Sequence, residues 1–163
     1  MNVAIGCDHR GFECKRKLIP LLKSAGHKIV DLGCESTTAC DYPDYAIPAA
    51  KAVADGTADV AILIDSSGIG MSICANKICG VRAAVVHDEV IARLARDANH
   101  CNVMCLPSDL LSLDQMMKIV EAFLTTPYST GRHVRRIEKI AEVERQHCLP
   151  LLTKRVAPKP DVA

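Results

Sequence analysis

The chain has 163 residues, 49% of them apolar and 24% charged, with 20 Lys and Arg set against 19 Asp and Glu. That is the size of one ordinary domain, and the composition excludes a disordered chain or a membrane-embedded one. A net charge of +1 leaves no global field to attract nucleic acid or an anionic membrane surface, so an anionic ligand must be held by local groups. With no Trp, two Phe and three Tyr, there is no aromatic platform for stacking single-stranded bases. The N-terminus shows no charged leader before an apolar stretch, and no run approaches the roughly 20 apolar residues of a membrane helix, so a cytoplasmic protein is expected. The nine cysteines are odd in number, scattered and never spaced as Cys-x-x-Cys. They argue against a zinc site or a disulfide framework and read as reduced thiols packed mostly as small hydrophobes.

Short apolar runs alternate with helical periodicity, which predicts a parallel sheet between helices. Asn2 to Cys7 reads as a first strand. A helix from about Gly11 to Ala25 buries Phe12, Leu18, Leu21 and Leu22, and Gly26 stops it. His27 to Leu32 is a second strand, followed by a turn-rich loop from Cys34 to Tyr42. Pro43 can start a helix packed through Ala46, Ala49, Ala50, Val53 and Ala54. Asp59 to Ile64 is wholly apolar after its first residue, as suits a central strand buried on both faces. After the loop from Asp65 to Gly70, the pattern gives a helix at Met71 to Lys77 and a strand at Val81 to Val86. A helix at Glu89 to Ala98, a strand at Asn102 to Leu106 and a helix at Leu113 to Thr125 follow. The last helix, about Gly131 to Gln146, is strongly charged, with a thin apolar stripe of Val134, Ile137, Ile140, Ala141 and Val143. It suits a solvated flank or an arm docked on a second subunit. The tail from Leu149 to Ala163, with three prolines, is expected to be irregular. The fold class is therefore α/β: a three-layer Rossmann-like sandwich with a five-stranded parallel sheet and a C-terminal helical arm, its main domain at 1–147 and a tail at 148–163.

Such sheets bind ligands at the carboxyl ends of their strands. The loop Ser66-Ser67-Gly68-Ile69-Gly70 has the composition to expose backbone N–H groups to an anion, although glycines can equally serve a tight turn. It is neither a Walker A sequence nor Gly-x-Gly-x-x-Gly, which lowers the rank of nucleotide binding. Asp65, ending the most buried strand, is a candidate base because desolvation raises a carboxylate pKa; a hydrogen-bonded structural Asp is the alternative. Asp8, His9 and Arg10 leave the first strand at the same edge. Asp41 and Tyr42, and Asn99 with His100, are expected there too. Arg132 and Arg136, beside His133 and Arg135, stand one helical turn apart, where two guanidiniums can converge on a phosphate or simply face solvent.

Taken together, the segments Gly6 to Phe12, Asp41-Tyr42-Pro43, Ser67 to Gly70 with Ala75-Asn76-Lys77, Gly80 to Ala83, Asn99 with Asn102-Val103, and Gly131-Arg132-His133 with Arg136 resemble the type B ribose-5-phosphate isomerase family. That wider group includes the galactose-6-phosphate isomerase subunits of lactose metabolism. The resemblance spans residues 2 to about 147. It implies a homodimer or tetramer with shared active sites, no metal or organic cofactor, and aldose–ketose isomerisation of a phosphorylated sugar through an enediolate. Carried over by position, Ser66 to Gly70 would be the anion hole, with Ser67 assisting at the oxygens. His9, Arg132 and Arg136 would hold the phosphate, and Asp8, Tyr42 and Asn99 would position or open the sugar.

Three positions depart from the family. Asp65 stands where many members carry a cysteine base, and a carboxylate can move the same proton if burial raises its pKa. Ala98 replaces the histidine that opens the furanose ring, with His100 the nearby substitute. Pro107-Ser108-Asp109 replaces a Gly-x-Arg pattern whose arginine helps bind phosphate. The leading expectation is interconversion of ribose 5-phosphate and ribulose 5-phosphate, with a hexose 6-phosphate or tetrose phosphate as alternative substrates. A sugar-phosphate-binding subunit that needs a partner is a second class of reading, and a nucleotide-binding flavodoxin-like module a remote one.

Overall fold

The structure is a computed structural model that describes residues 1–154, with side chains up to residue 147. The elements run β1 (Asn2–Cys7), α1 (Phe12–Ser24), β2 (Lys28–Asp31), α2 (Pro43–Ala54), β3 (Val60–Asp65), α3 (Ile69–Ala75), β4 (Ala83–Val85), α4 (Glu89–Asp97), β5 (Val103–Pro107), α5 (Leu113–Thr125) and α6 (Arg132–Lys154). The chain divides into two compact units, one of residues 1–129 and one from Thr130 onward. No helix among the described residues is long and apolar enough to cross a membrane.

In the first unit the five strands form one all-parallel sheet in the order β2-β1-β3-β5-β4. Alternate residues of each inner strand face opposite layers. Val3, Ile5, Val60, Ile62, Ile64, Met104 and Leu106 pack with α1, α4 and α5 into a core of large side chains. Ala4, Ala61, Leu63 and Cys105 meet α2 and α3, where Ala46, Ala49 and Ala50 are fully buried. Small residues on both sides of that second layer let α2 approach the sheet closely: a Cβ on Gly6 would come within 2.8 Å of the Tyr45 carbonyl oxygen. This is the three-layer Rossmann-like sandwich that the alternation of runs predicts.

Differences from the predicted elements have local causes. Leu21 is 40% exposed, and the buried face of α1 is completed by Lys15, which the hydrophobic pattern could not select. Lys15 Nζ donates to both oxygens of Asp31, at 2.9 and 3.0 Å, and to the Cys34 carbonyl at 2.8 Å. A buried ammonium is tolerable only with such a set of acceptors. Ala54 is exposed, and Ala52 takes its place in the core. β3 includes Asp65, which pairs in register with Pro107. α3 starts at Ile69, earlier than expected, because Gly68 caps it at φ 78°. In the second unit α6 runs to Lys154, past the expected end at Gln146. The irregular tail expected from Leu149 is therefore helical as far as Lys154; two of its three prolines, at 158 and 160, fall beyond, and 155–163 lie outside the described residues. Within α6, Arg145 donates to Glu142 at 2.5 and 3.1 Å and Gln146 does so at 2.9 Å, supporting the helix one turn apart.

The thiols also differ in part from expectation. Cys7, Cys34, Cys101 and Cys105 are free and buried, and Cys14, Cys40 and Cys74 are free and half-buried. Cys79, expected to be reduced, is disulfide-bonded, a pairing that sequence spacing does not reveal.

The turn after β1 depends on Gly11, where a Cβ would lie 2.3 Å from the Ile64 carbonyl oxygen. Gly11→Ala is expected to lower unfolding stability by about 1–3 kcal/mol, the usual range for overpacking, measured from the shift of the urea midpoint. A midpoint equal to that of the native chain would show that the two strand ends are less tightly joined than described.

Candidate active site

Because every strand is parallel, the ends of β1, β3 and β5 emerge along one edge. The chain leaves β1 for β2 through α1 on one face and leaves β3 for β4 through α3 on the other. The crevice between β1 and β3 is thus a topological switch point, the usual ligand site of an open parallel sheet. Asp8 and Asp65 stand at its two sides, and the Asp8 amide donates to the Ile64 carbonyl at 3.3 Å.

Asp65 is only 4% exposed. Its Oδ1 accepts the amides of Ser67, at 3.2 Å, and of Gly68. Its pKa lies above the ordinary aspartate value: burial is the largest cause, and the nearby Asp8 carboxylate adds to it. The amides of Gly68, Met71 and Ser67 pull the other way without cancelling the rise. Asp8, 6% exposed, accepts the Arg10 and Gly11 amides at 2.9 and 3.2 Å. Ser67 Oγ accepts the Ile69 amide at 3.2 Å, which leaves the hydroxyl proton to donate. The amides of Ser66 to Gly70 are therefore not a wholly open cradle, since two of them serve Asp65.

Around this centre the structure gathers most of the expected residues. Tyr42, 38% exposed, lays its ring over Gly70, where a Cβ would sit 2.9 Å from ring carbons. His9 Nδ1 lies 4.0 Å from Asp8 Oδ2 and accepts the Cys40 amide at 3.3 Å. Ile69, 58% exposed, forms an apolar rim. The Pro107-Ser108-Asp109 turn, which sequence reasoning treated only as a lost cation, turns out to brace the site. The Ser108 amide and hydroxyl each donate to the Asp65 carbonyl at 2.8 Å, and the Asp109 amide donates to Ser66 at 3.2 Å. Asp109 also takes the Arg10 guanidinium at 2.6 Å, so a cation is present at this corner after all, carried by the loop that follows β1.

Asn99 and His100 are not brought to this edge, contrary to expectation. They precede β5 and so stand at its amino end, the opposite edge of a parallel sheet. His100 is also committed there: its ring stacks on Tyr128 at 4.6 Å and 11°, Nε2 lies 3.0 Å from the Ser129 carbonyl oxygen, and its φ is 49°. Asn99 Nδ2 donates to Leu94 at 3.4 Å. Arg132 and Arg136 lie one turn apart and exposed at the start of α6, in the second unit, with Arg132 Nε 3.4 Å from His133 Nε2.

A buried carboxylate of raised pKa beside a hydroxyl donor at a parallel-sheet switch point suits acid–base chemistry on a small ligand. The class is that of a sugar-phosphate isomerase, for residues 3–140 match the Ribose/Galactose Isomerase family. The chain is 40% identical over 145 residues to ribose-5-phosphate isomerase B of Escherichia coli (strain K12), covering 89% of this chain and 97% of that one. Its structure resembles that of Clostridium thermocellum ribose-5-phosphate isomerase B, with a TM-score of 0.88 at 37% identity over 90% of this chain and 99% of the other. It also resembles ribose-5-phosphate isomerase B from Mycoplasma genitalium with bound ribulose 5-phosphate, with a TM-score of 0.86 at 39% identity over 89% and 97%. The chain belongs to the ribose/galactose isomerase family and is an aldose–ketose isomerase.

The raised pKa of Asp65 carries a sign for stability. Between the ordinary aspartate value and the elevated one the folded chain binds the proton more tightly than the unfolded chain, so stability falls as pH rises through that window and stays lower above it. Asp65→Asn keeps the Oδ1 acceptor and removes the charge. It is expected to raise the melting temperature at pH 7, with the gain disappearing below about pH 4; a variant no more stable than the native chain at pH 7 would contradict the raised value.

Proposed function

We propose that the chain interconverts ribose 5-phosphate and ribulose 5-phosphate, with Asp65 as the base. The observation that supports this reading is the carboxylate of Asp65, buried and of raised pKa, at the carboxyl edge of the sheet beside the Ser67 turn. Asp65 takes the C2 proton of the open-chain aldose, and electron density moves onto the carbonyl oxygen to give an enediolate. The same carboxyl then returns the proton to C1 while the O2 hydroxyl gives up its proton and O1 gains one, with the Ser67 hydroxyl placed to relay it, forming the ketose. Ser67 donates its hydroxyl proton to the oxygen where charge develops, and the remaining N–H groups of the Ser66 to Gly70 turn assist. Asp8 and Tyr42 orient the sugar hydroxyls. His9, Arg132 and Arg136 take the phosphate. No metal or organic cofactor is needed, and residues 1–147 form the working domain, acting in the cytoplasm.

Asn99 and His100 stand at the wrong edge to serve Asp65 of their own chain. This supports a homodimer or tetramer in which they, with Arg132 and Arg136, complete the site of a neighbour. A second substrate reading, a tetrose phosphate, is favoured by Ala98, which supplies no ring-opening acid. Such a substrate is acyclic and needs no ring opening.

Asp65→Asn is expected to reduce kcat on ribose 5-phosphate by roughly 10²- to 10⁴-fold, the usual worth of a positioned base, in a coupled spectrophotometric assay. Unchanged kcat would remove Asp65 from the reaction. The same assay over pentose, hexose and tetrose phosphates decides the substrate, since turnover only of a tetrose phosphate would replace the first reading with the second. Sharing has its own signature. Asp65→Asn and Asn99→Ala chains, each inactive alone, are expected to regain about a quarter of native activity when unfolded together and refolded as a mixture, because half the dimers are mixed and each has one intact site. No recovery would show that both residues serve one chain's site.

A further inference from the structure

The loop from Cys34 to Tyr42 is held by its backbone at two points. At its start the Cys34 amide donates to the Cys7 carbonyl at 3.0 Å, and Lys15 Nζ donates to the Cys34 carbonyl at 2.8 Å. At its end the Cys40 amide donates to Nδ1 of His9 at 3.3 Å. An amide N–H can only donate, so the ring nitrogen that receives it carries a lone pair and no proton. The proton of the neutral ring then sits on Nε2. The acceptors that an Nδ1 proton could find instead are poor. Asp8 Oδ2 lies 4.0 Å away, beyond hydrogen-bond range, and the Cys40 sulfur lies 3.9 Å away and accepts weakly. Among the described residues no hydrogen bond engages Nε2, and the His9 side chain is 28% exposed.

We propose that the Cys40 amide fixes His9 in the tautomer with its proton on Nε2, so that His9 meets the ligand's phosphate as a neutral donor through that one nitrogen. Cys40 is then a positioning residue that acts on His9 through its backbone, a service any residue except proline can supply. The contact with phosphate rests on the isomerase reading above, whereas the tautomer does not. The bond made at one ring nitrogen decides which form the other takes, and here a loop leading straight into Asp41 and Tyr42 makes that bond. A ring held at Nδ1 presents Nε2 in one direction and binds without first taking up a proton. The neutral ring also puts no cation beside Asp8. An imidazolium would set its Nδ1 proton against the Cys40 N–H, two donors face to face. It would also place a positive charge 4.0 Å from the Asp8 carboxylate, weakening the repulsion that Asp8 exerts on a charged Asp65.

The test labels histidine with nitrogen-15 in the full chain and reads both ring nitrogens of His9 at about pH 8, where an ordinary imidazole is neutral. The resonances are assigned by their loss in His9→Gln. The proposal expects a single tautomer, Nε2 protonated and Nδ1 bare. A protonated Nδ1, or the averaged shifts of a freely exchanging ring, would overturn it whatever the variants do. Cys40→Ala keeps the amide and is expected to keep the pattern, and Cys40→Pro removes the N–H and is expected to give averaged shifts. An unchanged pattern in folded Cys40→Pro would overturn the amide as its cause. Inorganic phosphate added to the native chain is expected to shift the Nε2 resonance and leave Nδ1 bare. Protonation of Nδ1 on binding would overturn the neutral donor. No change at either nitrogen would overturn the contact with phosphate, a failure of the role that the isomerase reading gives His9 and not of the tautomer.

Discussion

The arrangement depends on keeping one carboxylate, that of Asp65, almost entirely out of water at the end of the most buried strand. Desolvation and the facing Asp8 push it toward its protonated form, and the amides of the next turn hold it in place. Such a group costs folding stability at neutral pH and gains reactivity toward a carbon-bound proton. The rest of the edge braces it. Ser108 fixes its carbonyl from β5, and Gly11 lets the β1 loop close against the preceding residue of β3.

The two unequal core layers determine what can surround that group. Large aliphatic residues fill the side of α1, α4 and α5, while alanines on the other side bring α2 close to the sheet. α2 begins beside Tyr42, so close packing of that helix is also what sets the Tyr42 ring over Gly70. Core composition thus acts on the shape of the site.

Much of the fold was legible because a parallel sheet writes its strands as short apolar runs, and β3 is the clearest of them. The site was legible where chemistry follows chain order: Asp8, His9 and Asp65 end adjacent strands, so knowing the strands places them together. What pattern reading missed is of another kind. Lys15 is buried because Asp31 and the Cys34 carbonyl meet it, which no amphipathic pattern shows. Asn99 and His100 were grouped with the site through their chemistry, but a residue before a strand and one after it stand at opposite edges of a parallel sheet. Asp109 read as a lost phosphate ligand, and its pairing with Arg10 across the two loops depends on strand neighbours that periodicity does not give. The amides of the glycine loop were read as open to a ligand, and only the structure shows that the neighbouring carboxylate already uses two of them.

The central claim, that Asp65 is a carboxyl base tuned by burial, is tested most directly by following its own carboxyl carbon. With aspartate labelled at the side-chain carboxyl with carbon-13 and the resonance assigned by its loss in Asp65→Asn, the titration gives the pKa without reference to activity. The account predicts a midpoint clearly above the ordinary aspartate value of about 3.9, coinciding with the acid limb of the pH dependence of kcat/KM. A midpoint at or below that value, with the acid limb elsewhere, would contradict it and leave Asp65 as a cap for the turn after β3.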